Sequence, residues 1–135
     1  MCWESWCIMT IQKLEHVGVQ VRNIEASKGF YQGILGLELL DELDLPEGDQ
    51  KLAFLGLKGE VILELIEGYN ADLPAEGKVH HIAFTVSDIE AERTRIRNLG
   101  VTFISEEISE LPNGSKYLFF AGPDGEWIEF FESSK

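Results

Sequence analysis

The sequence predicts an α+β fold made of two tandem βαβββ modules. The chain repeats itself at an offset of 65 residues, so that residues 15–26 align with residues 80–91 without a gap. Each repeat opens on a short stretch in which apolar and polar residues alternate, which is typical of a half-buried strand. A helical pattern and three strand-like runs follow in both halves, and this common order defines the module.

In the first half, Val17, Val19 and Val21 alternate with polar or small residues and predict the opening strand. Apolar residues then recur at helical spacing, and Gly36 stands where a helix commonly ends. That apolar stripe consists of Ala26, Phe30, Tyr31, Ile34 and Leu35. The three following strands are predicted over Leu39 to Leu45, Lys51 to Leu57 and Val61 to Glu67.

The second half repeats this order. Ile82, Phe84 and Val86 predict the opening strand, and Ser87 with Glu90 forms a capping-box pattern at the start of the helix. The helical stripe and its terminal glycine are Ile89, Ile96, Leu99 and Gly100. Strands are predicted over Val101 to Glu106, Lys116 to Ala121 and Trp127 to Glu132, separated by the turn sequences Pro112-Asn113-Gly114 and Pro123-Asp124-Gly125.

The repeat also suggests the domain organisation. Residues 1–10 are expected to form a disordered leader, and residues 11–135 a single domain with module one at 11–67, a linker at 68–78 and module two at 79–133. Both cysteines, Cys2 and Cys7, lie in the leader and are expected to be reduced and without a structural role.

The amino-acid composition limits the classes of partner that the protein is expected to bind. The chain has 135 residues, a formal net charge of −13 and a pI near 4.5. Such acidity repels nucleic-acid phosphates and anionic lipid, so neither nucleic acid nor a membrane is an expected partner. The sequence contains no apolar run of the roughly 20 residues that span a bilayer and no secretory signal pattern. A cytoplasmic protein that binds a small-molecule substrate is therefore expected.

The repeat contains a candidate metal site. His16 precedes Glu64 by 48 residues, and His81 precedes Glu129 by the same 48. Both glutamates lie within apolar runs, where burying a charge costs several kcal/mol unless a cation compensates it. A lone glutamate in a strand usually faces solvent and a lone histidine is usually structural, but the duplicated spacing favours ligands. Two imidazoles and two carboxylates suit one divalent ion, first Ni, Co or Zn and otherwise Mn or Fe.

Neighbouring residues are assigned other roles. Alternation places His80 on the opposite strand face from His81, so His80 is expected to be structural or to support the ligands. Glu67 and Glu132 also match across the repeat but close their strands, and are expected to face solvent. The conspicuous aromatic residues are expected to form core rather than a ligand platform: Phe54, Phe119, Phe120, Trp127 and Phe131.

These motifs resemble the vicinal oxygen chelate superfamily along nearly the whole chain from Ile11. The resemblance rests on residues 15–19, the helix motif at 30–37, the strand at 81–84 and the turn at 122–125 before Trp127-Ile128-Glu129. The nearest likeness is to the short bacterial glyoxalase I, or lactoylglutathione lyase, type.

The resemblance implies an incomplete, cup-shaped barrel built from paired modules. It also implies a metal held by His16, Glu64, His81 and Glu129, at a site commonly assembled at a homodimer interface. Glu129 would be the principal proton-transfer base, with Glu64 able to share that role. A metal that binds vicinal substrate oxygens would acidify the adjacent C–H and stabilise an enediolate.

The function expected from these features is that of a metal-dependent glyoxalase-I-like lyase or isomerase acting on a small oxygen-chelating substrate, such as a thiol hemithioacetal. Two positions depart from the glutathione-using pattern: Gln20 replaces an Arg and Gly68 replaces an Asn. The thiol is therefore left open. The alternatives are a non-catalytic ligand- or drug-sequestering protein of the bleomycin-resistance type and an acyl-CoA epimerase.

Overall fold

The computed structural model describes residues 13–70, 72–74, 77 and 79–134. Two four-stranded sheets and two helices make up this part of the chain, with the elements in the order βαβββ-βαβββ. Module one contains β1 (Val17–Val21), α1 (Ile24–Gly33), β2 (Glu38–Leu45), β3 (Gln50–Leu57) and β4 (Glu60–Glu67). Module two contains β5 (Ile82–Thr85), α2 (Ile89–Asn98), β6 (Thr102–Glu110), β7 (Lys116–Ala121) and β8 (Trp127–Glu132). The predicted α+β class and the two-module plan are confirmed.

Both sheets have the same topology. Their strand orders are β1-β4-β3-β2 and β5-β8-β7-β6, in which the opening strand runs parallel to the last one and the other neighbours are antiparallel. Each opening strand is therefore an edge strand beside the strand that carries the predicted glutamate. The two sheets are not joined into one closed barrel, which is consistent with a cup.

At the helix ends, the predicted C-terminal glycines are confirmed, whereas the predicted N-terminal cap is not. A glycine with positive φ follows each helix, as the sequence predicted: Gly36 at 74° lies three residues after α1, and Gly100 at 82° lies two residues after α2. The capping-box prediction at Ser87 was wrong, because Asp88 is the N-cap residue and its carboxylate accepts from the backbone N–H of Ala91. Ala91 is the N3 residue of the helix, and an N-cap carboxylate commonly accepts from this N–H.

Glu67 and Glu132 do not simply face solvent, contrary to expectation. Oε1 of Glu67 accepts from the backbone N–H of Ile24, and Oε1 of Glu132 accepts from that of Ile89, each at 2.8 Å. Each carboxylate thus binds an unpaired N–H at the start of the helix in its own module, where the helix dipole also favours negative charge. This role explains why the two residues match across the repeat.

The two modules share one hydrophobic core. Its fully buried members come from both halves and include Tyr31, Leu55, Leu65, Ile96, Phe120 and Ile128. Polar contacts join the modules around this core. The Tyr31 hydroxyl donates to Oε2 of Glu126 at 2.7 Å, and the backbone N–H of Arg22 donates to the carboxylate of Asp124 at 3.2 Å.

None of the helices that the structure describes is long and apolar enough to cross a membrane. The predicted leader, with Cys2 and Cys7, lies outside the described residues, as do residues 71, 75, 76 and 78 of the predicted linker. The proposed domain bounds stay a prediction.

Candidate metal centre

Each predicted histidine ligand lies beside the predicted glutamate of its own module. Nε2 of His16 is 3.2 Å from Oε1 of Glu64, and Nε2 of His81 is 3.1 Å from Oε1 of Glu129. The strand register explains this proximity. Gly18 pairs with Glu64 and Ala83 with Glu129, so each histidine stands two residues before the partner of its glutamate, on the same sheet face.

The two carboxylates are shielded from water more than their histidines are. The side chains of Glu64 and Glu129 are 17% and 11% exposed, against 32% for His16 and 33% for His81. The burial of both glutamates, which the apolar runs predicted, is therefore confirmed. The imidazoles form the outer, accessible half of each pair.

The repeat extends to the side chains that support the imidazoles. The ring of Phe54 packs edge-on against His16 at a centroid distance of 6.1 Å, and Phe119 packs in the same way against His81 at 5.0 Å. Phe54 and Phe119 are separated by the 65-residue offset of the repeat. Both modules thus hold the imidazole in the same way.

The donor atoms of each pair fit a shared divalent ion. Two bonds of about 2.1 Å from one metal place neighbouring donor atoms about 3.0 Å apart at a right angle and about 3.4 Å apart in a tetrahedron. The observed separations of 3.2 and 3.1 Å lie within that range. One imidazole nitrogen and one carboxylate oxygen are also a donor set that borderline divalent metals accept.

The two pairs do not form one cluster within this chain. Among the described residues, which include all four predicted ligands, no group of three or more His, Cys, Asp or Glu side chains is placed to hold a metal. The structure thus contains two half-sites: half-site one is His16 with Glu64, and half-site two is His81 with Glu129. The four-ligand centre stays a prediction.

A crevice of about 260 Å³ lies between the edge strands β1 and β5. It is lined by Gln20, His80, His81, Glu126 and Trp127, among others, so only half-site two contributes a predicted ligand to it. The crevice is therefore not the meeting place of the four ligands.

Most of the aromatic residues lie on the face of the half-sites, contrary to expectation. Of Phe54, Phe119, Phe120, Trp127 and Phe131, only Phe120 is fully buried in the core. Phe119 pairs with Glu129 and Tyr117 with Phe131, which places these aromatic rings on the face of β7 and β8 that carries Glu129. The half-buried aromatic wall of module two consists of Tyr117, Phe119, Trp127 and Phe131. The equivalent residues of module one are Leu52, Phe54, Ile62 and Ile66.

The residue before each predicted ligand histidine contacts the imidazole ring, and the sequence predicted no role for one of the two, Glu15. Oε1 of Glu15 lies 3.1 Å from Nδ1 of His16, and Nδ1 of His80 lies 2.9 Å from Nδ1 of His81. The available signal was position, because each of these residues immediately precedes a predicted ligand. Support of the ligands was one of the two roles predicted for His80. No role was predicted for Glu15.

The comparisons with known proteins identify the family. A family model described as the Glyoxalase/Bleomycin resistance protein/Dioxygenase superfamily matches residues 13–130. The chain belongs to this superfamily, which confirms the resemblance inferred from the motifs.

Individual relatives cover almost the whole chain. It is 50% identical over 123 residues to YwbC of Bacillus subtilis (strain 168), described as uncharacterized, with 90% of this chain and 98% of that protein covered. It is 34% identical over 125 residues to a lactoylglutathione lyase of Neisseria meningitidis serogroup A, with 89% and 90% covered. A glyoxalase family protein from Enterococcus faecalis has a similar structure, with a TM-score of 0.77, 29% identity, and 92% and 100% covered.

Proposed function

We propose that this protein is a metal-dependent glyoxalase-I-like lyase or isomerase that moves a proton between neighbouring carbons of a small oxygen-chelating substrate. The observation that carries the proposal is the duplicated half-site, an imidazole Nε2 within 3.2 Å of a carboxylate at equivalent positions of both modules. A structural repeat has little other reason to keep both pairs intact.

The complete site is proposed to form between two copies of the chain. Because no group of three candidate ligands occurs among the described residues, half-site one of one protomer would face half-site two of its partner. A twofold homodimer would then contain two equivalent sites, each with two histidines and two glutamates. Residues His16, Glu64, His81 and Glu129 would hold one divalent ion, with Ni, Co or Zn preferred over Mn or Fe.

When bound, such an ion supplies Lewis acidity to two adjacent substrate oxygens. The protein supplies the proton transfer. Glu129 lies between Ala83 and Phe119 in the sheet register, so its carboxylate is largely shielded from water and can hold the transferred proton without losing it to solvent. Glu64 occupies the equivalent position of module one and can share that role.

The face that surrounds the half-sites favours a substrate whose body carries no negative charge. In the described strands, the residues that share the sheet face of Glu64 and Glu129 include no Lys or Arg. Gly68 has a φ of 98°, and a Cβ there would lie 2.5 Å from the backbone oxygen of Asp49, so the backbone has no room for the Asn of the glutathione-using pattern. Together with Gln20, this favours a thiol other than glutathione as the adduct partner.

A mixing experiment tests the shared site. His16→Ala and His81→Ala each damage every site of their own homodimers, whereas a mixed dimer of the two variants keeps one intact site and loses both histidines from the other. After denaturation and refolding of an equal mixture, about a quarter of the wild-type metal content and lyase activity should return. The activity is measured with methylglyoxal and a panel of thiols.

The outcome separates the candidate functions. No recovery on mixing, with both variants folded, would contradict a site shared between chains. Glu129→Ala should abolish turnover and leave the fold intact, and full activity of that variant would contradict the proposed proton transfer. Tight binding of an apolar ligand by the metal-free protein, without turnover in any metal, would instead support the sequestering alternative.

A further inference from the structure

The residue immediately before each ligand histidine contacts the back of its imidazole ring. Nδ1 of His16 lies 3.1 Å from Oε1 of Glu15, on the side of the ring away from Glu64. Nδ1 of His81 lies 2.9 Å from Nδ1 of His80, on the side away from Glu129. Both ring nitrogens of both histidines therefore have a partner.

A neutral imidazole carries one N–H, so a hydrogen bond at one nitrogen decides which nitrogen is available to a metal. A partner that accepts from Nδ1 fixes the proton there and leaves the lone pair on Nε2, the atom that faces the glutamate. Such partners orient the ring and strengthen it as a ligand. Glu15 and His80 stand where these partners are required.

We propose that Glu15 and His80 are positioning residues that prepare Nε2 of His16 and of His81 for the metal. The inference rests on the proposed function, because it presupposes that both histidines are ligands. It assigns a task to two side chains that do not belong to the four-ligand set.

The two positioning residues act through different chemistry. The carboxylate of Glu15 only accepts, so it selects one tautomer of neutral His16. The ring of His80 can accept or donate, so its Nδ1 accepts from His81 only in the tautomer that is protonated at Nε2. Trp127 packs against His80 at a centroid distance of 4.9 Å and Phe119 at 6.4 Å, and these contacts hold the ring beside His81.

Metal affinity is the direct measure of positioning. Co²⁺ binding by the metal-free full-length protein is measured by competition with a chromophoric chelator. Glu15→Ala and His80→Phe should weaken binding by about 10- to 100-fold, the usual cost of removing the partner of a ligating histidine. His80→Phe retains an aromatic ring against Trp127 and removes only the ring nitrogens.

Conservative variants distinguish positioning from a structural role. Glu15→Gln and His80→Gln each introduce an amide oxygen that can accept from Nδ1, so they should bind Co²⁺ within about threefold of wild type. Glu60→Ala is the matched control, because this exposed carboxylate pairs with Lys13 rather than with a histidine. Thermal unfolding of each metal-free variant shows whether the fold is retained.

The inference is overturned if Glu15→Ala and His80→Phe bind Co²⁺ as tightly as wild type does while His16→Ala loses Co²⁺ binding. That result would leave the proposed function standing. The inference is also overturned if Gln fails to rescue either position in a folded protein. Absence of metal binding by the wild type itself would overturn the inference and the proposed function together.

Discussion

The hydrogen bond between Tyr31 and Glu126 links the two modules, and its removal should lower the free energy of unfolding measurably. Tyr31 is fully buried on α1, and its hydroxyl donates to the Glu126 carboxylate of module two at 2.7 Å. A hydrogen bond to a charged group contributes about 1.5 to 3 kcal/mol. Tyr31→Phe preserves the ring and removes only this bond, so we expect a loss of about 2 kcal/mol at pH 7.

The same pair predicts a pH dependence. Burial, with the negative charge of Glu126 added, raises the pKa of the Tyr31 phenol far above its ordinary value. Above pH about 10 the unfolded chain releases the phenolic proton while the folded protein keeps it. The folded state then binds more protons, so the free energy of unfolding falls by about 1.4 kcal/mol for each further pH unit.

Urea unfolding followed by circular dichroism at pH 7 and pH 11 measures both effects. Tyr31→Phe lacks the buried phenol, so its free energy of unfolding does not contain this pH-dependent loss. The difference in free energy of unfolding between wild type and Tyr31→Phe should therefore be about 1.4 kcal/mol smaller at pH 11 than at pH 7. Tyr117→Phe serves as the control, because this half-buried ring lies on the half-site face. Equal stability of Tyr31→Phe and wild type at pH 7, or an unchanged difference at pH 11, would refute this account.

Two further predictions concern positions that the repeat and the half-sites single out. Glu67→Ala and Glu132→Ala should each lower the free energy of unfolding by about 1 kcal/mol, since each removes the acceptor for a helix N-terminal N–H. Equal urea midpoints for variant and wild type would exclude that role. Gly68→Asn should destabilise the protein by about 1 to 3 kcal/mol, because its Cβ would strike the Asp49 backbone oxygen and its φ is positive. An Asn variant as stable as wild type, with gained turnover of the glutathione adduct, would show that the position accommodates a glutathione-binding side chain.

Much of the fold follows from local patterns in the sequence. Alternation around Val19 and Phe84 predicts which residues share a strand face, and the left-handed glycines mark the turns that follow the helices. The predicted strand bounds agree with the structure to within one residue except in β6, which continues to Glu110 instead of ending at Glu106. That extension follows from pairing with β7 through an irregular register, which no local pattern in β6 specifies.

The pairing of the ligands could be predicted only within each module. The equal spacing of His16 to Glu64 and of His81 to Glu129 reflects the register of a parallel strand pair, which lies inside one sheet. How the two sheets meet depends instead on contacts between modules, such as Arg22 with Asp124, for which the repeat offers no pattern. The contacts of Glu15 with His16 and of His80 with His81 were not predicted for another reason, because a side-chain hydrogen bond between neighbouring residues has no periodic signature.

The metal content of the purified protein shows whether the four predicted ligands form a metal centre. Elemental analysis after incubation with Ni, Co, Zn and Mn is made on wild type, His16→Ala and His81→Ala, with the oligomeric state of each determined by light scattering. We expect a wild-type dimer with about one divalent ion per chain, and loss of that ion in both variants. A wild-type protein that binds no divalent metal, or variants that retain it in full, would contradict the proposed metal centre.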